Sequence, residues 1–178
     1  MSAKVVYNEI SVAGALNAES LGEMVSKGNF KGAIYMTPDV GSDEGYPGGF
    51  AEFAKAFPGE AVHIPMNPEH EPYCGDACDP VLAMQRFGVY EKHFAALPRP
   101  LLVTCKSGAR ASAAVAVYKA ALNNETVSQV QSFAEEQGLG YTKHAGLIRW
   151  VETTVASLAP KPIIFRQMFE KESSTYTY

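Results

Sequence analysis

Residues 101–112, "LLVTCKSGARAS", constrain the fold more than any other stretch of the chain. "LLVT" is apolar on both faces, the pattern of a central strand in a parallel sheet covered on both sides. The apolar run stops at Cys105, Gly108 follows three residues later, and "ASAAVAVYKAAL" (111–122) then reads as a helix of small residues. A strand, a tight loop and a helix in this order belong to a layered α/β domain.

The rest of the chain fits that layer. "KVVYNEISVAG" (4–14) is rich in Val, Tyr and Ile and predicts a strand. Asn17 is placed to cap a helix over 18–28, with Gly28 as its stop. "GAIYM" (32–36) predicts a short buried strand, and 37–49 a Gly/Pro/Asp loop. "FAEFAKAF" predicts a short helix ending before Pro58, and "AVHIP" (61–65) a third strand. After the loop "MNPEHEPYCGDAC" (66–78), Asp79-Pro80 opens a helix in cap-then-proline order, running to about Leu97. "PRP" breaks it before the strand "LLVT". Thr126 caps a further helix, and a last one lies near 144–158. There is no internal repeat and no low-complexity tract.

At 178 residues the chain is long enough for one buried core and too short for two ordinary domains. The expectation is a single α/β domain over 1–158, with a C-terminal extension at 159–178. Its core is a mostly parallel sheet of four or five strands with helices on both faces. A formal net charge of −4 argues against a nucleic-acid partner. No apolar run approaches the roughly 20 residues that span a bilayer, and the N-terminus lacks the pattern of a signal peptide. A membrane partner is therefore not expected, and the default compartment is the cytoplasm. Three cysteines make an odd count, which favours free thiols over a disulfide framework. The oligomeric state carries no sequence signal, and no cofactor is implied.

In parallel sheets ligand sites lie beyond the carboxyl ends of the strands, where Cys105 falls. If the next helix starts near Arg110 or Ala111, the loop amides and the helix N-terminus converge on one spot, which suits an anion. A thiol placed there is a candidate nucleophile. Gly108 allows a tight turn, and the planar fork of Arg110 can hold two oxygens of a tetrahedral anion. Lys106, Ser107, Gly108 and Ala109 are the expected cradle. Ser112 is a candidate donor to the sulfur or to a leaving group. The plain alternative is a Cys105 that only fills space in the core.

"VTCKSGARAS" resembles the cysteine loop shared by cysteine phosphatases and rhodanese-type sulfurtransferases. The wider order is more specific: "ISVAGALNAESLGEMVSKGNFKGAIYM", "AVHIPM", "LLVTCKSGARASAAVAVY" and "VSQVQSFAEEQGLGY". It is similar to a bacterial cysteine-phosphatase-like family with a dual-specificity-phosphatase-like fold, which also occurs fused to metallo-β-lactamase-fold sulfur dioxygenases. The similarity spans roughly residues 5–141. It implies Cys105 as nucleophile, Arg110 as oxyanion clamp and the amides from Lys106 to Arg110 as cradle. Two departures stand out. Phosphatases of this kind carry arginine six residues after the cysteine, where this chain has Ala111, and usually histidine before it, where this chain has Thr104. Either the loop is one residue tighter with Arg110 turned inward, which is also the rhodanese spacing, or Ala111 occupies the arginine's slot and Arg110 points elsewhere.

The resemblance also implies a proton donor on the loop after the third strand. Asp76, in mid-loop beside Gly75, is the candidate acid, with Glu69, His70 and Glu71 as alternatives. Asp79 is the better helix cap. His70, Cys74 and Cys78 lie at spacings of four, but CxxxC is not a standard zinc spacing and no fourth ligand is evident, so no metal is expected. Redox pairing of Cys74 with Cys78, or of either with Cys105, is a further alternative. His63 reads as a core or strand-face residue, His93 and His144 as surface residues, and Trp150 and Phe165 as packing.

Three functions stay open. The leading one is a phosphatase-like hydrolase acting on a small anionic or phosphorylated substrate through a Cys105 thiophosphate intermediate. The second is sulfur transfer through a Cys105 persulfide. The third is a catalytically weak anion-binding module.

Overall fold

A computed structural model of the protein describes residues 3–38, 45–66, 74 and 77–158. The strands are β1 (Lys4–Tyr7), β2 (Ile10–Ala13), β3 (Gly32–Tyr35), β4 (Glu60–His63) and β5 (Leu101–Thr104). They form one five-stranded sheet in the order β1-β2-β5-β3-β4. Only β1 and β2 pair antiparallel; β2 with β5, β5 with β3, and β3 with β4 are parallel. All four residues of β5 are buried, as a strand apolar on both faces requires.

Alternation along the strands divides the core. Ile10, Val12, Ile34, Leu101 and Val103 face α3 (Pro80–Ala96), α4 (Ala109–Asn123), α5 (Val127–Glu136) and α6 (Ala145–Leu158). Ala13, Ala33, Tyr35 and Leu102 face α1 (Ala18–Gly28) and α2 (Gly49–Ala56). The single domain with helices on both faces is thus the expected architecture.

The helices start where side chains satisfy their first amides. The Asn17 side chain accepts from the Ser20 amide, while the Ser20 hydroxyl accepts from the Asn17 amide, both at 2.9 Å. Thr126 and Gln129 form the same reciprocal box at α5. Asp79 accepts from the amides of Val81 at 2.7 Å and Leu82 at 3.2 Å, and Pro80 fills the first helical position. Helix α4 is buried along most of its length: eleven of its fifteen residues are buried. Its alanines and valines let it lie against the sheet beneath α6 and α3.

Three local expectations change. The stretch 4–14 is a hairpin, not one strand. Asn8 (φ 42°) and Glu9 (φ 58°) make a two-residue turn in the left-handed region. The stop of α1 is Asn29, left-handed at φ 47°, with Gly28 as the last helical residue. Helix α4 begins at Ala109, so Arg110 lies inside it.

A non-glycine residue in the left-handed region carries a backbone cost, and Glu9 is exposed. Glu9→Gly should therefore stabilise the protein by about 0.5–1 kcal/mol, while Glu9→Val should destabilise it. Urea midpoints at unchanged slope measure both. A loss of stability in Glu9→Gly would contradict the turn.

Candidate active site

The loop that leaves β5 is fastened to the segment that leaves β2. The Cys105 amide donates to the Ala13 carbonyl at 3.3 Å, continuing the parallel ladder one step past the strand. The Ala15 amide donates to the Lys106 carbonyl at 2.8 Å. Thr104, at the place where the resemblance expects histidine, donates its hydroxyl to the Gly14 carbonyl at 2.9 Å. The chain then turns at Gly108, left-handed at φ 83°. That turn aims the Gly108 amide at Cys105 Sγ, 3.1 Å away. A methyl group at Gly108 would meet nothing closer than Val12 Cγ1 at 3.5 Å, so the backbone angle, not space, is what calls for glycine here. Cys105 is a free thiol with no exposed surface, and Lys106 and Ser107 are exposed above it.

The helical ladder of α4 opens with the Ser112 amide on the Gly108 carbonyl at 2.9 Å. The amides of Ala109, Arg110 and Ala111 thus lie in the first turn, where no intrahelical acceptor exists. Arg110 is only 5% exposed, so its guanidinium is not in bulk water. Its Nη1 donates to the Met66 carbonyl at 3.1 Å. Met66 continues a lateral ladder: the Met36 amide donates to the Thr104 carbonyl, and the Met66 amide to the Met36 carbonyl, each at 2.9 Å. Arg110 therefore reaches from the helix after β5 to the chain leaving β4, two strands away or about 10 Å. A cation in the first turn of a helix opposes the helix dipole, and burial adds a desolvation cost. An anion in front of the loop would offset both.

The Ser112 hydroxyl donates to the Ala109 carbonyl at 2.9 Å and accepts from the Tyr141 amide at 3.2 Å. Its proton is thus engaged within the helix in this structure, on the Ala109 carbonyl rather than on the Cys105 sulfur. Ser112 ties α4 to the 3-10 turn Gly140–Lys143 instead. The phenol of Tyr141, only 3% exposed, has its pKa raised from 10.0 to about 12, by burial first and then by the charge of Glu152.

Cys74 and Cys78 form a disulfide, so the expectation of free thiols fails for this pair and neither sulfur remains for a metal. Arg149, on α6, donates from Nη2 to the Cys74 carbonyl at 3.2 Å. Asp76, Glu69, His70, Glu71 and Phe165 lie outside the described residues, as does the extension 159–178. Asp79 serves as the helix cap. His63, at the end of β4, stacks on Phe50 at 5.0 Å between ring centroids, and its Nε2 lies 2.8 Å from the Thr37 carbonyl. His144 is exposed, His93 is half-buried, and Trp150 is fully buried. The Met66 carbonyl, Arg149 and Tyr141 were not anticipated as neighbours of the site. Each of these contacts uses a main-chain group, which leaves no mark in a sequence. A cavity of about 600 Å³ lined by Val5, Glu9, Met24, Phe30 and Pro100 opens at the amino ends of the strands, the opposite end from Cys105.

The sheet order and the cysteine loop after the central strand define a cysteine-phosphatase-like fold of the dual-specificity type. Solved structures agree. A candidate phosphatase from Neisseria meningitidis superposes with a TM-score of 0.62 at 15% identity, covering 86% of this chain and 96% of that one. A DUF442 candidate phosphatase from Shewanella putrefaciens gives 0.60 at 17% identity, covering 89% and 93%. The core catalytic domain of the PP-IP phosphatase Siw14 from S. cerevisiae, in complex with citrate, gives 0.56 at 13% identity, covering 99% and 96%. No family model matches the sequence. No curated protein sequence matches it.

Two outcomes follow from this geometry. Gly108→Ala should cost about 1 kcal/mol in urea unfolding, because alanine must adopt φ 83°; an unchanged midpoint would contradict the turn. The raised pKa of Tyr141 means that the unfolded chain loses its phenol proton first as pH rises. The stability this group contributes is full below pH 10.0 and is lost as pH rises to about 12. Tyr141→Phe should therefore lose less stability than wild type across that window. Parallel curves for the two proteins would contradict the burial of the phenol.

Proposed function

We propose that the chain is a cysteine-dependent phosphatase-like hydrolase acting on a phosphomonoester in the cytoplasm. The observation that carries this reading is the buried Arg110 in the first turn of α4, beside a loop whose Gly108 amide points at the Cys105 sulfur. A buried cation, first-turn amides and a helix dipole together suit a tetrahedral anion. In the first step the Cys105 thiolate attacks phosphorus and forms an S–P bond as the bond to the leaving oxygen breaks. Asp76 gives that oxygen its proton. Water then attacks phosphorus, the S–P bond breaks, and inorganic phosphate leaves with the thiolate restored. Arg110 and the amides from Lys106 to Arg110 bind the equatorial oxygens throughout. The fold likeness to the PP-IP phosphatase Siw14 supports a small, highly phosphorylated substrate, and exposed Lys106 suits added negative charge at the rim.

Sulfur transfer through a Cys105 persulfide is the second reading. The spacing of Cys105 to Arg110 favours it, as does the resemblance to domains fused to sulfur dioxygenases.

Turnover of an aryl phosphate separates the readings. Cys105→Ser should abolish it, and Arg110→Lys, checked for folding by circular dichroism, should lower kcat/KM by about 10²–10³-fold. A wild type inert from pH 5 to 8 would overturn the phosphatase. Thiocyanate formed from thiosulfate and cyanide, with an extra sulfur on Cys105 by mass spectrometry, would then establish the sulfurtransferase. Oxyanion binding with neither activity would leave an anion-binding module.

A further inference from the structure

Helices α1 and α2 do not cover the whole of their face of the sheet. Five strands about 4.8 Å apart make a sheet about 24 Å wide, whereas two packed helices cover about 20 Å. The strip left open lies on β1. Val5 and Ser11 are register partners in the hairpin and share that face, and Val5 is 66% exposed. They floor the cavity of about 600 Å³ at the amino ends of the strands, a size that suits a small molecule. Met24 and Phe30 form its apolar wall. A methyl group at Gly28 would come within 2.4 Å of the Phe30 ring, so that ring lies directly against the end of α1.

The polar groups of this cavity are not used by the fold. Ser11 is only 4% exposed and lines the cavity, and its hydroxyl has no hydrogen-bond partner among the described residues. A hydroxyl left so is costly unless a ligand meets it. Glu9, at the rim, has no ion-pair partner among the described residues, whereas Lys27 is held by Glu23 at 3.7 Å. The C-terminal end of α1, at Gly28, adds the negative end of a helix dipole. The uncompensated charge at the cavity is therefore negative. Glu9 also stands at φ 58° in a turn where Asn-Gly is the favoured pair, with its carbonyl pinned by the Leu101 amide at 2.9 Å. Glycine would serve the turn better, so the turn itself gives no reason for a carboxylate there.

We propose that this cavity is a binding site for a small amphipathic amine, separate from the Cys105 loop. The apolar body of the ligand lies on Val5, Met24 and Phe30. Its ammonium donates to the Glu9 carboxylate and the Ser11 hydroxyl, two residues apart in the chain, with the end of α1 behind them. The hydroxyl gains its missing partner, and the carboxylate gains a counter-ion in a partly dry setting where a charge-assisted bond is strong. An anion of the same shape would face Glu9 and the helix end with like charge. The site stands on its own observations and does not depend on what Cys105 does.

Binding of tryptamine to the full chain, followed by calorimetry and by methyl NMR, tests the proposal. Indole-3-propionate carries the same ring with the opposite charge. Tryptamine should bind saturably, at least about tenfold tighter than the propionate, and should move the Met24 methyl signal. Ser11→Ala and Glu9→Gln should each weaken tryptamine about fivefold or more. Glu9→Gly should raise the urea midpoint and yet weaken tryptamine, a split that a purely structural Glu9 would not give. No saturable binding at millimolar tryptamine overturns the proposal. So does a propionate that binds as tightly as the amine, or tryptamine affinity unchanged in both the Ser11 and Glu9 variants. Nuclear Overhauser contacts in the free protein from the Met24 methyl to residues 159–178, or to a second copy of the chain, would show the cavity filled by the protein itself and overturn it as well.

Discussion

Close packing of α4 between the sheet and α6 is the constraint on which the rest of the molecule depends. A helix with eleven buried residues can occupy that position only because they are mostly alanine and valine. Larger side chains would push it off the sheet and carry the Cys105 loop with it. Phe87, Tyr90, Phe94, Leu147 and Trp150, from α3 and α6, supply the bulk that α4 lacks. The loop is thereby fixed at both ends by buried structure, a central strand before it and a buried helix after it. Its geometry is inherited from the core and owes little to its own exposed residues, Lys106 and Ser107.

Arg110 is the exception within this apolar helix, and the exception carries the functional reading. Local rules disfavour a cation in the first turn of a helix and a guanidinium in the core. Sites that break such rules are where function is expected. The cation is not left to water; it joins the carbonyl ladder that runs from Thr104 through Met36 to Met66. This ladder links the helix that follows the cysteine to the segment whose sequence holds the candidate acid. Cys105, Arg110 and the Met66 carbonyl therefore lie at the carboxyl ends of the strands, while the cavity at the amino ends lies apart from them.

Much of the layer was legible in the residues. The apolar run 101–104 with its small-residue successor placed the central strand and the buried helix, and Asn17, Thr126 and Asp79-Pro80 marked their helix starts by chemistry that the structure repeats. The hairpin was not legible, because a two-residue left-handed turn is signalled by glycine and this one uses Asn8 and Glu9. The early start of α4 was missed because its N-cap is Gly108, which offers no side chain to recognise. The Met66 partner of Arg110 is a main-chain carbonyl that any residue at 66 would supply. The pairing of Cys74 with Cys78 depends on how the segment folds, and a spacing of four allows but does not require it.

The central claim is that the loop after β5 and the guanidinium of Arg110 together form an oxyanion site over Cys105. A crystal structure of the full chain grown with tungstate tests it most directly. The account predicts the ion seated over the Cys105 sulfur, with first-turn amides of α4 and at least one Arg110 nitrogen about 3 Å from its oxygens. An empty loop, or an ion held there while Arg110 makes no contact with it, would contradict the account.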